Sequence, residues 1–400
     1  MGYKRPLLLT TAALAAFTAF FVQPRLALMG VGREVVPLNN DKCVAVPGLE
    51  ACEDAWVDSA SGLAYLACST PASRVAWTPA MLHLNASALP LGKSQDKLVL
   101  LDLRTRNYQD VKLSGLPDEA QGVWVHGMDV YRSPSEPEKL SLFLISHRPP
   151  SKRSSAPLVG ADSVVEIFET RLGEKEARWV KTVRHEKVKT QNSIAAVGER
   201  AFYVTNDHRD KVHWTRKWEK FYPSIALSSI VYCDASAKAP DCTVAADGLV
   251  YPNGLTYSPS SDLVYQACTL GGYVNIFRRS SSSASSSPHA LSLLRTVSVA
   301  RPLDNLHLDP STGSVYATAL AKSVDFVAAA KDGGAGGGRA AVEVWRIGPK
   351  GEEKAELVFA DLGDKVSAST TAAPFRLNGG GLQLLLTGLF SNEVVLCQIE

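Results

Sequence analysis

The chain has 400 residues, 46% hydrophobic and 20% charged, with a formal net charge of +2. That balance excludes a disordered chain, a collagen-like fibre and a polytopic membrane protein. It leaves no basic excess to neutralise phosphates, so no nucleic-acid partner is predicted.

Lys4 and Arg5 precede an uncharged, mostly apolar stretch, Pro6 to Gln23. Two readings fit: a cleavable signal peptide, or a signal-anchor helix slightly short of the ~20 residues that span a bilayer. Residues 1–30 are therefore predicted to target the chain, with a membrane as partner in the anchored case, and ordered structure to begin near Val35. Either reading puts the remainder in the lumen or outside and makes Asn85-Ala-Ser87 a glycosylation acceptor.

An oxidising compartment lets cysteines pair. Cys52 and Cys68 flank the turn region Asp58 to Gly62, and Cys233 and Cys242 flank a short polar loop. Cys43 and Cys397 lie at opposite ends of the globular part, and Cys268 is left over. Spacing alone does not prove these pairings.

From Val35 onward, short β-rich runs recur between Gly, Pro, Ser, Asn and Asp. One type follows a small-residue turn: Leu63-Ala-Tyr-Leu-Ala, Leu142-Phe-Leu-Ile-Ser, Ala201-Phe-Tyr-Val-Thr, Leu263-Val-Tyr-Gln-Ala, Ser314-Val-Tyr-Ala-Thr and Leu382-Gln-Leu-Leu-Leu-Thr. Each is followed by an alternating strand: Leu98-Val-Leu-Leu-Asp, Val164-Val-Glu-Ile-Phe, Ile230-Val-Tyr-Cys, Tyr273-Val-Asn-Ile-Phe, Val342-Glu-Val-Trp and Glu393-Val-Val-Leu-Cys. Six couples at this spacing predict an all-β fold, a six-bladed β-propeller over residues 35–400 behind an N-terminal hydrophobic helix. A large β-sandwich is the plainer alternative. Pro149 to Pro157, Ser280 to Pro288 and Gly333 to Gly338 read as loops. Trp214 to Tyr222, with aromatics among basic residues, reads as a membrane-surface helix or as a lid packed on the ring.

Propeller sites gather at one mouth of the central channel, so oxygen donors at matching blade positions are the useful signal. Glu53-Asp54, Asn192, Asn253 and Asp304-Asn305 each stand about ten residues ahead of a strand of the first type, and are placed in turns before it. Carboxylates and amides together make a hard oxygen cage suited to calcium, which accepts six to eight oxygens; zinc would want His or Cys. The same dipeptides are also ordinary turn residues. Of eight histidines, His126 lies in Val123-Trp-Val-His-Gly-Met128 and His147 ends the Leu142 strand. Each suits a general base, although a lone strand histidine is more often a core residue.

At these residues the chain resembles the serum paraoxonase/arylesterase family of calcium-dependent lactonases, from about Val35 to Glu400. The blocks are Glu50-Ala-Cys-Glu-Asp54 with Gly62-Leu-Ala, His126-Gly127, Val183-Arg-His185, Ala195-Ala-Val-Gly198 with Phe202-Tyr-Val-Thr-Asn-Asp-His208, Asn253-Gly254, Leu303-Asp-Asn305 with Asp309-Pro310, and Cys397. The resemblance implies a six-bladed propeller with two calcium ions. It assigns a catalytic ion to Glu53, Asn192, Asn253, Asp304 and Asn305. It assigns a structural ion to Asp54, Ser193 and the Met128 carbonyl, with Ser193 where the family has an aspartate, which puts that ion in doubt. It implies a histidine dyad at His126 and His147, and a disulfide between Cys43 and Cys397. Leu320 stands where animal members carry a histidine, and Tyr251 is placed on the apolar side of the pocket. The expected activity is hydrolysis of lactone and aryl ester substrates. Two rivals stay open: a non-catalytic, calcium-stabilised propeller that binds a lipid or protein, and a hydrolase like gluconolactonase or the phosphotriester-cleaving propellers.

Overall fold

The recurring couples are the second and third strands of a repeating four-stranded unit. The computed structural model describes residues 15–90, 92, 94–221, 225–280, 289–333, 339–349 and 354–399. Its main sheets are four of four strands and one of eight, the last being two four-stranded units joined edge to edge, which makes six units. The first strands of these blades, the inner strands, are Cys52–Asp58, Val125–Arg132, Gln191–Ala196, Pro252–Ser258, Leu303–Leu308 and Thr371–Phe375. Each inner strand neighbours the next, and the sixth neighbours the first, so the ring is closed.

The cores lie between blades. Val99 and Leu101 of the first blade pack against Phe375 and Leu385 of the sixth. Tyr65 and Leu98 pack against Leu142 and Phe168 of the second. Phe143 and Ile167 meet Phe202 and Val231 of the third. The third and fourth meet through Tyr203 and Val264, the fourth and fifth through Tyr265 and Val315, and the fifth and sixth through Val344 and Leu386. The aromatic of the small-residue-turn strand is thus the wedge: Tyr65, Phe143, Tyr203, Tyr265 and Tyr316 are all fully buried. Burying such a ring contributes about 1.5–3 kcal/mol.

The N-terminal strand Cys43–Val46 completes the sixth blade by pairing antiparallel with Val394–Gln398. Cys43 and Cys397 are directly paired in that register and form a disulfide. Cys52–Cys68 and Cys233–Cys242 are also bonded, each across adjacent strands, and Cys268 is free and buried.

Structure begins earlier than Val35. Helical turns Thr18–Val22 and Gln23–Leu28 lie ahead of the ring. Arg25 donates to Leu270 O at 3.0 Å and Arg33 to Ala321 O at 2.6 Å, which ties this segment to blades four and five. Among the described residues no helix is long and apolar enough to cross a membrane. Residues 1–14 of the predicted N-terminal segment, the loop 281–288 and the run 334–338 lie outside the described residues. The helix Thr215–Phe221 is held by Arg216, which donates to Pro79 O and Ala80 O at 2.9 and 3.0 Å.

Because the Cys43–Cys397 bond spans a sequence separation of 354 residues, its loss should be felt by the whole ring. Cys43→Ser with Cys397→Ser is expected to destabilise by roughly 2–5 kcal/mol, read as an earlier urea midpoint. An unchanged midpoint would mean that strand pairing alone closes the ring.

Candidate active site on the propeller axis

Five of the six inner strands open with the same irregularity. Their ladders slip between Cys52 and Asp54, Val125 and Met128, Gln191 and Ile194, Pro252 and Leu255, and Leu303 and Leu306. A bulge leaves a residue unpaired and re-aims its side chain. The residues at these slips include Glu53, His126, Asn192, Asn253 and Asp304, all of them buried. These side chains therefore sit inside the inner strands, not in turns ahead of the blades as the sequence had indicated, and the bulge is what hid the strands. The sixth strand keeps its register. It contributes the hydroxyls of Thr370 and Thr371, which donate to Glu53 O at 3.0 and 2.9 Å.

Close approach of the strands depends on glycine. A Cβ on Gly127 would lie 2.4 Å from Asn192 O, and one on Gly254 would lie 2.3 Å from Asp304 O. Both obstacles are backbone, so neither can swing away.

Two of the five expected metal ligands, Glu53 and Asn305, are in direct contact. Asn305 Nδ2 donates to Glu53 Oε1 at 3.0 Å and to Thr371 Oγ1 at 3.0 Å. The Asn253 side chain opposes, without outweighing, the upward push on the Asp304 carboxyl. Asn192 lies on the neighbouring inner strand, next to Ser193, whose Oγ accepts from Leu255 N at 3.0 Å. Four buried oxygens have no hydrogen-bond partner: Glu53 Oε2, Asn192 Oδ1, Asn253 Oδ1 and Asn305 Oδ1. Buried polar atoms are ordinarily satisfied, so these four fit a hard cation. Among the described residues no group of three or more His, Cys, Asp or Glu side chains has metal-holding geometry; this set consists largely of amides.

The electrostatics agree. Burial, together with Asp54 and Asp304, holds the Glu53 carboxyl well above its ordinary range, against the opposing pull of Arg74. Burial and Asp54 push Asp304 up to about 7. Carboxylates crowded in a dry place favour either protonation or a cation.

Beside this set lie two imidazoles, His126 and His147, with ring centroids 5.1 Å apart. His147 Nδ1 is 2.8 Å from Ser163 Oγ. Nε2 of each ring is buried without a partner. Burial first, then His147 and Arg74, hold His126 well below its usual pKa. Burial lowers His147 to about 4. Both rings are therefore neutral at pH 7 and able to accept a proton.

Sequence reasoning missed three neighbours. Arg74, in the helix Pro71–Ala76, donates to Val125 O at 2.6 Å and Ala51 O at 3.2 Å, tying the entries of the first two inner strands together. Asp207 and His208 follow strand Ala201–Asn206, the place that His147 holds in the second blade, and that shared position was the available signal. His208 Nδ1 lies 2.9 Å from Asp207 Oδ1. Burial would raise Asp207, but His208 and Arg216 outweigh it and hold it down to about 2. Tyr251 stacks at a tilt on His208, 4.5 Å between centroids. Leu320 packs with Phe326 and Phe390.

Residues 87–391 match the arylesterase family. The chain belongs to that family. Serum paraoxonase/arylesterase 1 of Homo sapiens is 26% identical over 286 residues, 71% of this chain and 70% of the relative. Serum paraoxonase/lactonase 3 of Oryctolagus cuniculus is 25% identical over 315 residues, 78% of each. In fold alone, the chain is similar to the major Malassezia sympodialis allergen Mala s 1, with a TM-score of 0.52 and 12% identity over 90% of this chain and 96% of the other. It is likewise similar to a luciferin-regenerating enzyme, with a TM-score of 0.50 and 12% identity over 89% and 94%. In this arylesterase-family chain, Glu53, Cys43 and Cys397 lie outside the matched residues, and Glu53 reaches the matched region through its contact with Asn305.

Gly254→Ala tests the close approach of the inner strands. It is expected to destabilise by about 1–3 kcal/mol, visible in thermal or urea unfolding. A wild-type midpoint would show that the strands can part without loss.

Proposed function

We propose that the chain is a calcium-dependent hydrolase of lactones and aryl esters. The carrying observation is the set of four unpartnered buried oxygens on the axis beside two neutral imidazoles. Family membership supports carboxylic ester hydrolysis as the reaction class, and the names of the two relatives cover arylesterase and lactonase activity.

Glu53, Asn192, Asn253, Asp304 and Asn305 would hold the calcium ion, which when bound would supply the positive charge to polarise a substrate carbonyl. The protein does the rest. His126 accepts the proton of the attacking water through its free ring nitrogen. His147 backs it, and Ser163 fixes the orientation of His147. Arg74 holds the entries of the strands that bear Glu53 and His126. Exclusion of water around these buried groups strengthens each electrostatic contact.

Three disulfides fit an oxidising, secretory or extracellular compartment. Phe17, Phe20, Phe21 and Leu26 are exposed on the helical turns ahead of the ring, which supports membrane contact there. Asn85 is exposed and suits glycosylation. A non-catalytic propeller would leave the paired imidazoles without a task.

Removal of calcium by EDTA is expected to abolish hydrolysis across a panel of γ- and δ-lactones and phenyl acetate, with recovery on adding calcium back. Full turnover in EDTA would refute the metal. Glu53→Gln is expected to weaken calcium binding measured by calorimetry and to lower the melting temperature. His126→Gln is expected to lower kcat/KM by about 10²–10⁴ while calcium affinity holds; an unaltered rate would put the base elsewhere.

A further inference from the structure

The lower half of the axial cluster behaves differently from the upper half. The resemblance to calcium-dependent relatives allots a second ion to Asp54, Ser193 and the Met128 carbonyl, and the side chains here do not fit one. Asp54 Oδ1 accepts from Ala55 N and Oδ2 from Met128 N, each at 2.9 Å. Ser193 Oγ accepts from Leu255 N. The adjacent Asp129 accepts from Val130 N and Ala196 N, each at 2.8 Å. No oxygen of Asp54, Ser193 or Asp129 is among the buried unpartnered atoms, in contrast to the four above.

A ring stands against these carboxylates. His307 Nε2 lies 3.3 Å from Asp54 Oδ1. His307 follows Asn305 by two residues on the inner strand Leu303–Leu308. The strand that supplies the upper amide thus also delivers the imidazole to the lower carboxylate. The sequence had given His307 no task.

We propose that the His307 side chain takes the place of a second axial cation, so that the channel carries one ion. This rests on the calcium reading for the upper set. The imidazole stands 3.3 Å from Asp54 where an ion would sit, Ser193 lacks the carboxylate that a second dication would need, and each oxygen of Asp54 and Asp129 already accepts a backbone N–H.

Calcium bound per chain would be counted by native mass spectrometry and atomic emission on full-length protein after gel filtration in calcium. Wild type is expected to hold one ion. Ser193→Asp with His307→Ser is expected to hold two, and to keep one when Glu53→Gln is added to remove the upper ion. Its melting temperature should rise with calcium even in that background. Ser193→Asp alone, with the imidazole in place, should stay at one. Two ions in wild type, or in Ser193→Asp alone, would overturn the role of His307 while leaving the upper site intact. No ion in wild type would overturn the upper site; the Glu53→Gln triple variant would still decide His307, one ion supporting its role and none refuting it.

Discussion

The strand Cys43–Val46 is the constraint on which the molecule depends. It supplies the outermost strand of the last blade from the opposite end of the chain. Without that pairing the sixth blade would have a bare edge, and only side-chain packing and the bonds to Glu53 would hold it against the first. The inner strands would then be free to splay. The site depends on their spacing, because Glu53 from the first blade must meet Asn305 from the fifth and Thr371 from the sixth within hydrogen-bond distance. Closure and chemistry are thus the same geometric fact seen at the rim and at the centre.

The second and third strands of each blade were legible in the sequence because they obey simple rules. Leu63–Cys68 and Tyr273–Arg279 carry apolar and β-branched runs behind turn residues. The inner strands were not legible. Gln191–Ala196 and Pro252–Ser258 begin with Pro, Gln, Asn and Gly, the vocabulary of turns. They form strands because neighbouring inner strands and the bulges accept those residues, a tertiary effect that no local pattern contains. The outer strands, such as Leu291–Ser298 with its exposed middle, lacked a periodic signal for the opposite reason: little of them is buried.

Much the same divides the candidate site. Glu53, Asn192, Asn253, Asp304 and Asn305 were legible as recurring oxygen donors, since equivalent blade positions converge. His126 and His147 stood out among eight histidines by their place on strands, but were paired as a dyad only through the family resemblance. Arg74 had no signal, because a cation in a short helix reads as surface. Only its burial and its two backbone acceptors show that it braces the mouth. The meaning of His307 depends on its distance to Asp54, which a sequence does not give.

The first two blades are joined along their rims. Their outermost strands, Tyr108–Ser114 and Glu176–Val183, pair in parallel from Lys112 to Ser114 and from Glu176 to Arg178. A seam of that kind turns two wedges into one block and hides part of two exposed ladders from other molecules. Self-templated polymerisation through these rims is correspondingly harder, and whatever opening the ring undergoes in solution must be borne by the remaining blades.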